Sequence, residues 1–268
     1  MTRLPTLFIS HGSPMLALDT GRPGAAWRKL FEGLPRPQAV MMISAHWGTA
    51  IATVSTATRP QTIHDFYGFP PQMYAIQYPA PGAPAVAQRA AALLRAAGLP
   101  VALDPDYGLD HGAWVPLRVA YPQADVPVFQ LSVQPQQTPA HHLQVGAAIA
   151  ALAAEGVLII GSGSLTHNLR DLGPADSNTG PEYVPAFQQW MHDRLYARDM
   201  AALIDYRHRA PDALRAHPTD EHLLPLFVAL GAAGDHAAST RHFADITHGA
   251  LAMDVYEFAP RVTVPATC

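Results

Sequence analysis

Two short apolar runs near the start of the chain each stop at a histidine: LFIS runs into His11-Gly12-Ser13-Pro14, and VMMISA into His46-Trp47-Gly48. Continuous apolar runs of this length, bounded by turn formers, predict strands buried on both faces. The same pattern predicts strands over Thr6–Ser10, Ala39–Ala45, Ile51–Thr56, Tyr74–Tyr78, Val126–Val133, Val157–Gly161 and Ala252–Phe258. Helices are predicted over Pro84–Ala97, stopped by Gly98, and over Pro139–Ala154, opened by Thr138 and stopped by Gly156. Proline just inside the start and glycine just past the end is the expected asymmetry of helix termini. Glu182–Tyr196 carries Tyr183, Phe187, Trp190 and Leu195 at near-helical spacing. Alternating strands and helices predict an α/β fold, with a mostly parallel or mixed central sheet covered by helices on both faces. No repeat or linker interrupts the pattern, so residues 1–268 read as a single domain.

Composition narrows the function classes. Of 268 residues, 49% are apolar and only 14% charged, which excludes a disordered chain and supplies a large core. The net charge is −4 and no basic run occurs, so nucleic acid and anionic membranes are excluded as partners. The oligomeric state is not readable from the sequence. The single cysteine, Cys268, has no internal partner for a disulfide, which fits a reducing compartment and argues against thiolate metal ligands. No apolar run approaches the roughly 18 residues of a membrane span, and the N-terminus lacks a secretory signal pattern. A cytoplasmic protein is expected.

The histidines carry the candidate chemistry. In an open α/β sheet, ligands gather outside the carboxyl ends of the strands. Neutral imidazoles delivered there from separate strands would converge as metal ligands. His11 and His46 fit this arrangement, although each also fits a polar residue marking a strand-to-turn junction. His167 follows a Gly-Ser-Gly-Ser loop after VLII; the P-loop pattern is absent, so phosphate binding is discounted. His111 lies beside Asp110 in a turn between Gly108 and Gly112, which also fits a surface turn. His217 and His222 frame Pro-Thr-Asp-Glu, where Thr219 fits a helix N-cap with acidic residues in the first turn. Pro225 then makes that helix restart or bend. If helical, Glu221 and His222 lie about 100° apart, so only one faces a site. His64, His141, His142, His192, His208, His236, His242 and His248 are expected mostly at the surface, with His141 and His142 in a helix's first turn.

Eight segments in order, PTLFISHGSP, MMISAHWG, IHDFYGFP, YPAPG, GLDHGAWVPL, GSGSLTHNL, AHPTDEHLLPLFVALGAAG and MDVYEF, resemble the class III extradiol ring-cleavage dioxygenases, in particular their DOPA 4,5-dioxygenase branch. The resemblance spans nearly the whole chain. It implies His11, His46 and His222 as metal ligands, and His167 as the acid/base histidine and a possible fourth ligand to zinc. It implies His111 as a residue lining the substrate pocket. The wider superfamily uses two histidines and a carboxylate around Fe(II), so either Glu221 or His222 is open as the third ligand. The implied activity is opening of a DOPA-like catechol ring with O₂, with Fe(II) for turnover and Zn(II) able to occupy the site. Two other readings fit the same histidines: a zinc-dependent hydrolase that activates water, and a non-catalytic metal-binding protein of the same fold. Retention of His167, which coordination does not require, argues against the last.

Overall fold

The runs that end at His11 and His46 are strands β1 (Thr6–Ser10) and β2 (Ala39–Ser44), with every residue of both buried. A computed structural model describes residues 3–260; Cys268 lies outside them. The remaining strands are β3 (Ala52–Ser55), β4 (Val101–Asp104), β5 (Val128–Gln130), β6 (Val157–Gly163), β7 (Ala237–Phe243), β8 (Ile246–Thr247), β9 (Leu251–Ala252) and β10 (Val255–Pro260). The central sheet has six strands in the order β5-β2-β6-β1-β10-β7. Its first four strands are parallel, and β10 runs antiparallel to both β1 and β7. This is the mixed form of the expected sheet.

The longer helices are α1 (Gly21–Glu32), α3 (Pro84–Ala96), α4 (His111–Ala120), α5 (Pro139–Ile149), α7 (Tyr183–Ala197) and α11 (Leu224–Ala233). Shorter ones are α2 (Pro71–Ala75), α6 (Ala151–Ala154), α8 (Met200–Ile204), α9 (Tyr206–Arg209) and α10 (Ala213–Ala216). Strand side chains alternate between faces. Leu7, Ile9, Val40, Met42, Leu158 and Ile160 pack on one side with Trp27 of α1 and Trp114 of α4. Phe8 points to the opposite side, toward Phe187 of α7 and Phe227 of α11. Met41, Ile43 and Ile159 face that same side, against α3, α5 and α11. Cover on both faces explains why these strands read as unbroken apolar runs.

Several expectations are corrected. Tyr74–Tyr78 is not a strand: Pro71, with φ already suited to a helix's first turn, opens α2, and the chain turns extended only at Ile76. Ile51–Thr56 does form β3, but outside the main sheet. It pairs in parallel with β4, whose uniformly half-buried VALD shows no alternation to betray it. Val126–Val133 shortens to β5, because after the Leu131 N–H bonds Met42 O (2.9 Å) the chain leaves β2 and the Ser132 N–H bonds Thr53 O on β3 (2.9 Å). Thr219 caps nothing: residues 218–223 are turns, and α11 starts at Leu224 with Pro225 in its first turn. The Thr219 hydroxyl instead donates to Glu221 Oε1 (2.9 Å). Glycines 161 and 163 lie inside β6, not in a loop after it.

Candidate metal centre and its pocket

Four parallel strands ending at one edge bring His11, His46 and the segment after β6 together. The edge is held by backbone bonds from His11 N–H to Gly163 O (2.9 Å) and from Ala45 N–H to Ser162 O (3.0 Å). His222 reaches the edge from the turn before α11. Its carbonyl accepts the Ser164 N–H at 2.9 Å, so that turn lies directly on the end of β6. A Cβ on Gly163 would sit 2.0 Å from the His222 oxygen, and one on Gly161 would sit 2.3 Å from the Pro225 oxygen. Glycine at both positions is therefore what lets the backbone carrying His222 approach the strand.

One nitrogen from each of His11, His46 and His222 lies within 4.8 Å of the others. His11 Nε2 and His46 Nε2 are 3.0 Å apart, about the separation of two imidazoles on one ion at roughly 2.1 Å from each. The tautomer of His11 follows from its other side. Ser162 Oγ donates to Gly112 O, so toward His11 Nδ1, 3.1 Å away, it acts as acceptor. His11 therefore carries its proton on Nδ1 and aims a lone pair from Nε2 into the site. His222 repeats the logic: Nδ1 lies 3.2 Å from Glu221 Oε1, while Nε2 is buried with no protein partner. A buried, unpartnered nitrogen beside two others of like kind is costly unless an ion satisfies it. The donor set is thus all imidazole, with Glu221 behind His222 as its hydrogen-bonding carboxylate. This geometry favours His222 over Glu221 at the third position, and the trio fits a divalent transition metal.

Burial shapes the charge of these rings. Desolvation, followed by mutual repulsion, holds His11 and His222 well below the usual imidazole range and lowers His46 to about 3. All three are neutral at pH 7, the state that coordination requires.

His167 stacks on His222, with ring centroids 3.4 Å apart and planes within 9°. Its backbone N–H bonds Ala216 O (2.8 Å), so the residue is anchored to α10 while its ring lies over His222. Burial lowers its pKa to about 4. With Glu221 and His222 it forms a second group of converging donor atoms, separate from the trio of His11, His46 and His222.

His111 is the first residue of α4 and is only 6% exposed, so the surface-turn reading fails. Asp110 beside it is fully buried and caps α4 through Ala113 N–H. It also accepts the Ser44 hydroxyl at 2.6 Å, which ties the helix to the end of β2. His111 packs on His46 with centroids 3.9 Å apart. His217 is buried but stands away from the trio's donors, with Nε2 2.8 Å from Leu165 O, a structural role. His142, expected at the surface, is fully buried, and its Nε2 accepts the Gln134 N–H.

Sequence reasoning missed Asp65. Its Oδ1 accepts the His111 backbone N–H (2.9 Å), while Oδ2 lies 3.0 Å from His111 Nδ1 and 3.6 Å from His46 Nδ1. It thereby braces His46 and His111 together. Its position in IHDFYGFP, one of the motif segments, was the available signal. Above the histidines opens a cavity of about 560 Å³, walled by Met15, Phe66, Phe69, Leu169, Leu172 and Leu251, with Ser13, Tyr67, Ser164 and His248 among its polar lining.

The chain resembles known proteins over nearly all of its length. Residues 5–255 match the family described as the catalytic LigB subunit of aromatic ring-opening dioxygenase. The chain is 42% identical over 259 residues to the 4,5-DOPA dioxygenase extradiol of Beta vulgaris, covering 94% of this chain and 96% of the relative. It is 41% identical over 260 residues to the protein of the same description from Escherichia coli strain K12, covering 94% and 93%. The crystal structure of an uncharacterized Escherichia coli K12 protein superposes with a TM-score of 0.82 at 35% identity, covering 95% of this chain and 99% of that one.

Proposed function

The chain belongs to the LigB family of aromatic ring-opening dioxygenases, and from that premise we propose that residues 1–268 act as one catalytic domain that opens a DOPA-like catechol with O₂ at an Fe(II) ion held by His11, His46 and His222. The observation that carries this reading is the convergence of three neutral imidazoles, one with an unpartnered buried nitrogen, on the floor of an apolar cavity wide enough for an aromatic ring. Bound Fe(II) would supply the one-electron chemistry that O₂ requires and would acidify catechol hydroxyls that coordinate it; Zn(II), which lacks redox chemistry, would fill the same donors without turnover.

The chain's own residues do the rest. Ser162 and Glu221 hold the His11 and His222 rings so that each keeps its proton on Nδ1 and its Nε2 free. Phe66, Phe69 and Leu251 enclose the ring and exclude water from it. His111, braced by Asp65, forms the wall beside His46. His167, neutral because it is buried, takes the proton from a catechol hydroxyl and returns it later in the cycle. Among the described residues no helix is long and apolar enough to cross a membrane.

Anaerobic reconstitution with Fe(II), followed by O₂ uptake and yellow-product formation across a panel of catechols, tests the reading. Iron-loaded protein should consume O₂, and rigorously iron-free zinc protein should bind catechol without consuming it. Oxygen uptake by the zinc form would overturn the metal assignment.

A further inference from the structure

The outer wall of the cavity holds a histidine that the proposed chemistry does not use. His248 sits in the turn between β8 and β9 with φ +53°, followed by Gly249 at φ +67°. Left-handed positions in such a turn are filled most comfortably by Asn or Gly. Either would satisfy the backbone here, and neither would supply an imidazole reaching the cavity. Backbone contacts fix the turn: Gly173 N–H bonds His248 O at 2.7 Å, and Gly249 N–H bonds Ser177 O at 3.0 Å. His248 is thereby set beside Leu172, which is 41% exposed and marks the mouth of the cavity, whereas His11 and His222 form its buried floor.

No side-chain hydrogen bond to His248 occurs among the described residues, and its Nδ1 is buried, which leaves Nε2 as the ring nitrogen a ligand can reach. The other residues lining the cavity include no arginine or lysine. Ser13 Oγ accepts the Met15 N–H, and Tyr67 is 92% exposed with its ring in solvent. The acidic lining residue, Asp65, is already engaged by His111. An anionic group carried on the substrate ring therefore meets one fixed, unengaged side-chain donor on the outer wall. Burial keeps the ring neutral near pH 7, so it offers a single N–H.

We propose that His248 is a specificity-determining residue that hydrogen-bonds a carboxylate carried on the ring substituent of the catechol while the two ring hydroxyls face His11, His46 and His222. This rests on the catechol reading above. Substrates of this class carry a substituent long enough to run from the floor to the mouth of the cavity, with its hydrocarbon part against Leu169, Leu172 and Leu251 and its anionic end at the turn.

The test compares 3-(3,4-dihydroxyphenyl)propanoate with 4-ethylcatechol, which lacks the carboxylate. Dissociation constants are measured by calorimetry on zinc-loaded protein, and kcat/KM on the iron-loaded enzyme. His248→Gly and His248→Asn both suit the left-handed backbone, so the turn is retained, and equal metal content and melting temperature verify that. Each variant should weaken binding and lower kcat/KM for the carboxylate substrate about tenfold, the scale of one hydrogen bond to a charged group. For 4-ethylcatechol both constants should stay within about twofold. Equal losses for the two catechols, or no loss for either, overturn the role of His248. Failure of iron-loaded wild-type protein to open either ring overturns the catechol reading instead, while the dissociation constants still report on His248.

Discussion

His167 and His222 lie face to face, yet they answer to different supports: His222 to Glu221 and the end of β6, His167 to the backbone of Ala216. Replacing His167 with Gln should therefore leave iron content and catechol affinity near wild type. Both kcat and kcat/KM should fall by about 10²-fold or more, the scale of a lost acid/base group. Loss of the metal in that variant would make His167 a ligand in its own right. Alanine at His11, His46 or His222 should each empty the site on metal analysis. Glu221→Gln should only weaken metal affinity, by roughly 10–100-fold, because it removes a ring's support and not a donor. At this scale His11 and His46 were legible as candidates, since a histidine closing a short apolar run is a one-dimensional signal, whereas His222 emerged only through the family resemblance, with Glu221 as its rival. The supports of these rings were not legible. Ser162 matters only because β6 lies beside β1, and Asp65 only because its loop folds over the start of α4. His142 was misjudged for a related reason: two histidines in a helix's first turn look solvated, but the segment just before the helix turns Gln134 N–H onto His142 Nε2.

Strand β6 does more than pair with its neighbours, because its two glycines take the weight of the chain crossing over it. Gly163→Ala should push the turn that carries His222 off the strand end, since the added carbon would fall 2.0 Å from a carbonyl oxygen that cannot swing aside like a side-chain tip. The expected result is a protein with a native circular dichroism spectrum and strongly reduced metal content. Full metal occupancy at unchanged affinity would show that the close approach is dispensable. The elements most legible in the sequence were those with uniform burial, β1, β2 and β6, together with α3, bracketed by proline and glycine; the helix expected over Pro139–Ala154 instead breaks at Ala150 into α5 and α6. Those missed lacked any such contrast: β4 is half-buried throughout, β7 is mostly half-buried or exposed, and α4 has an unremarkable sequence until Asp110 is seen to cap it. The Gly-Ser-Gly-Ser segment misled because glycine usually signals a loop, whereas here it signals a backbone pressed against a strand.

Taken as a whole, the metal-free fold resists protonation. His142 and His217 are each lowered to about 4 from an ordinary 6.5, and His11, His46 and His222 are also depressed. Between pH 6.5 and about 4 the unfolded chain binds protons that the native state refuses, so stability falls as pH falls through that window, by up to roughly 3 kcal/mol for each of the first two. Asp254 acts in the opposite sense. Burial raises it to about 7 from 3.8, so between those values the native state holds a proton that the unfolded chain has released. The denaturant midpoint of metal-free protein should drop from pH 6.5 to 4, and Asp254→Asn should steepen the drop. A flat profile would mean that the buried rings regain their solvent in the native state. The three donor nitrogens belong to residues 11, 46 and 222, and the first is oriented by residue 162. No fragment made early in synthesis holds more than part of this set. A ribosome must deliver His222, and β1 must have found β6, before a vacant coordination sphere exists at all. On the proposed site, ion capture comes late in biogenesis: it needs a chain grown past residue 222 whose β1 has already paired with β6.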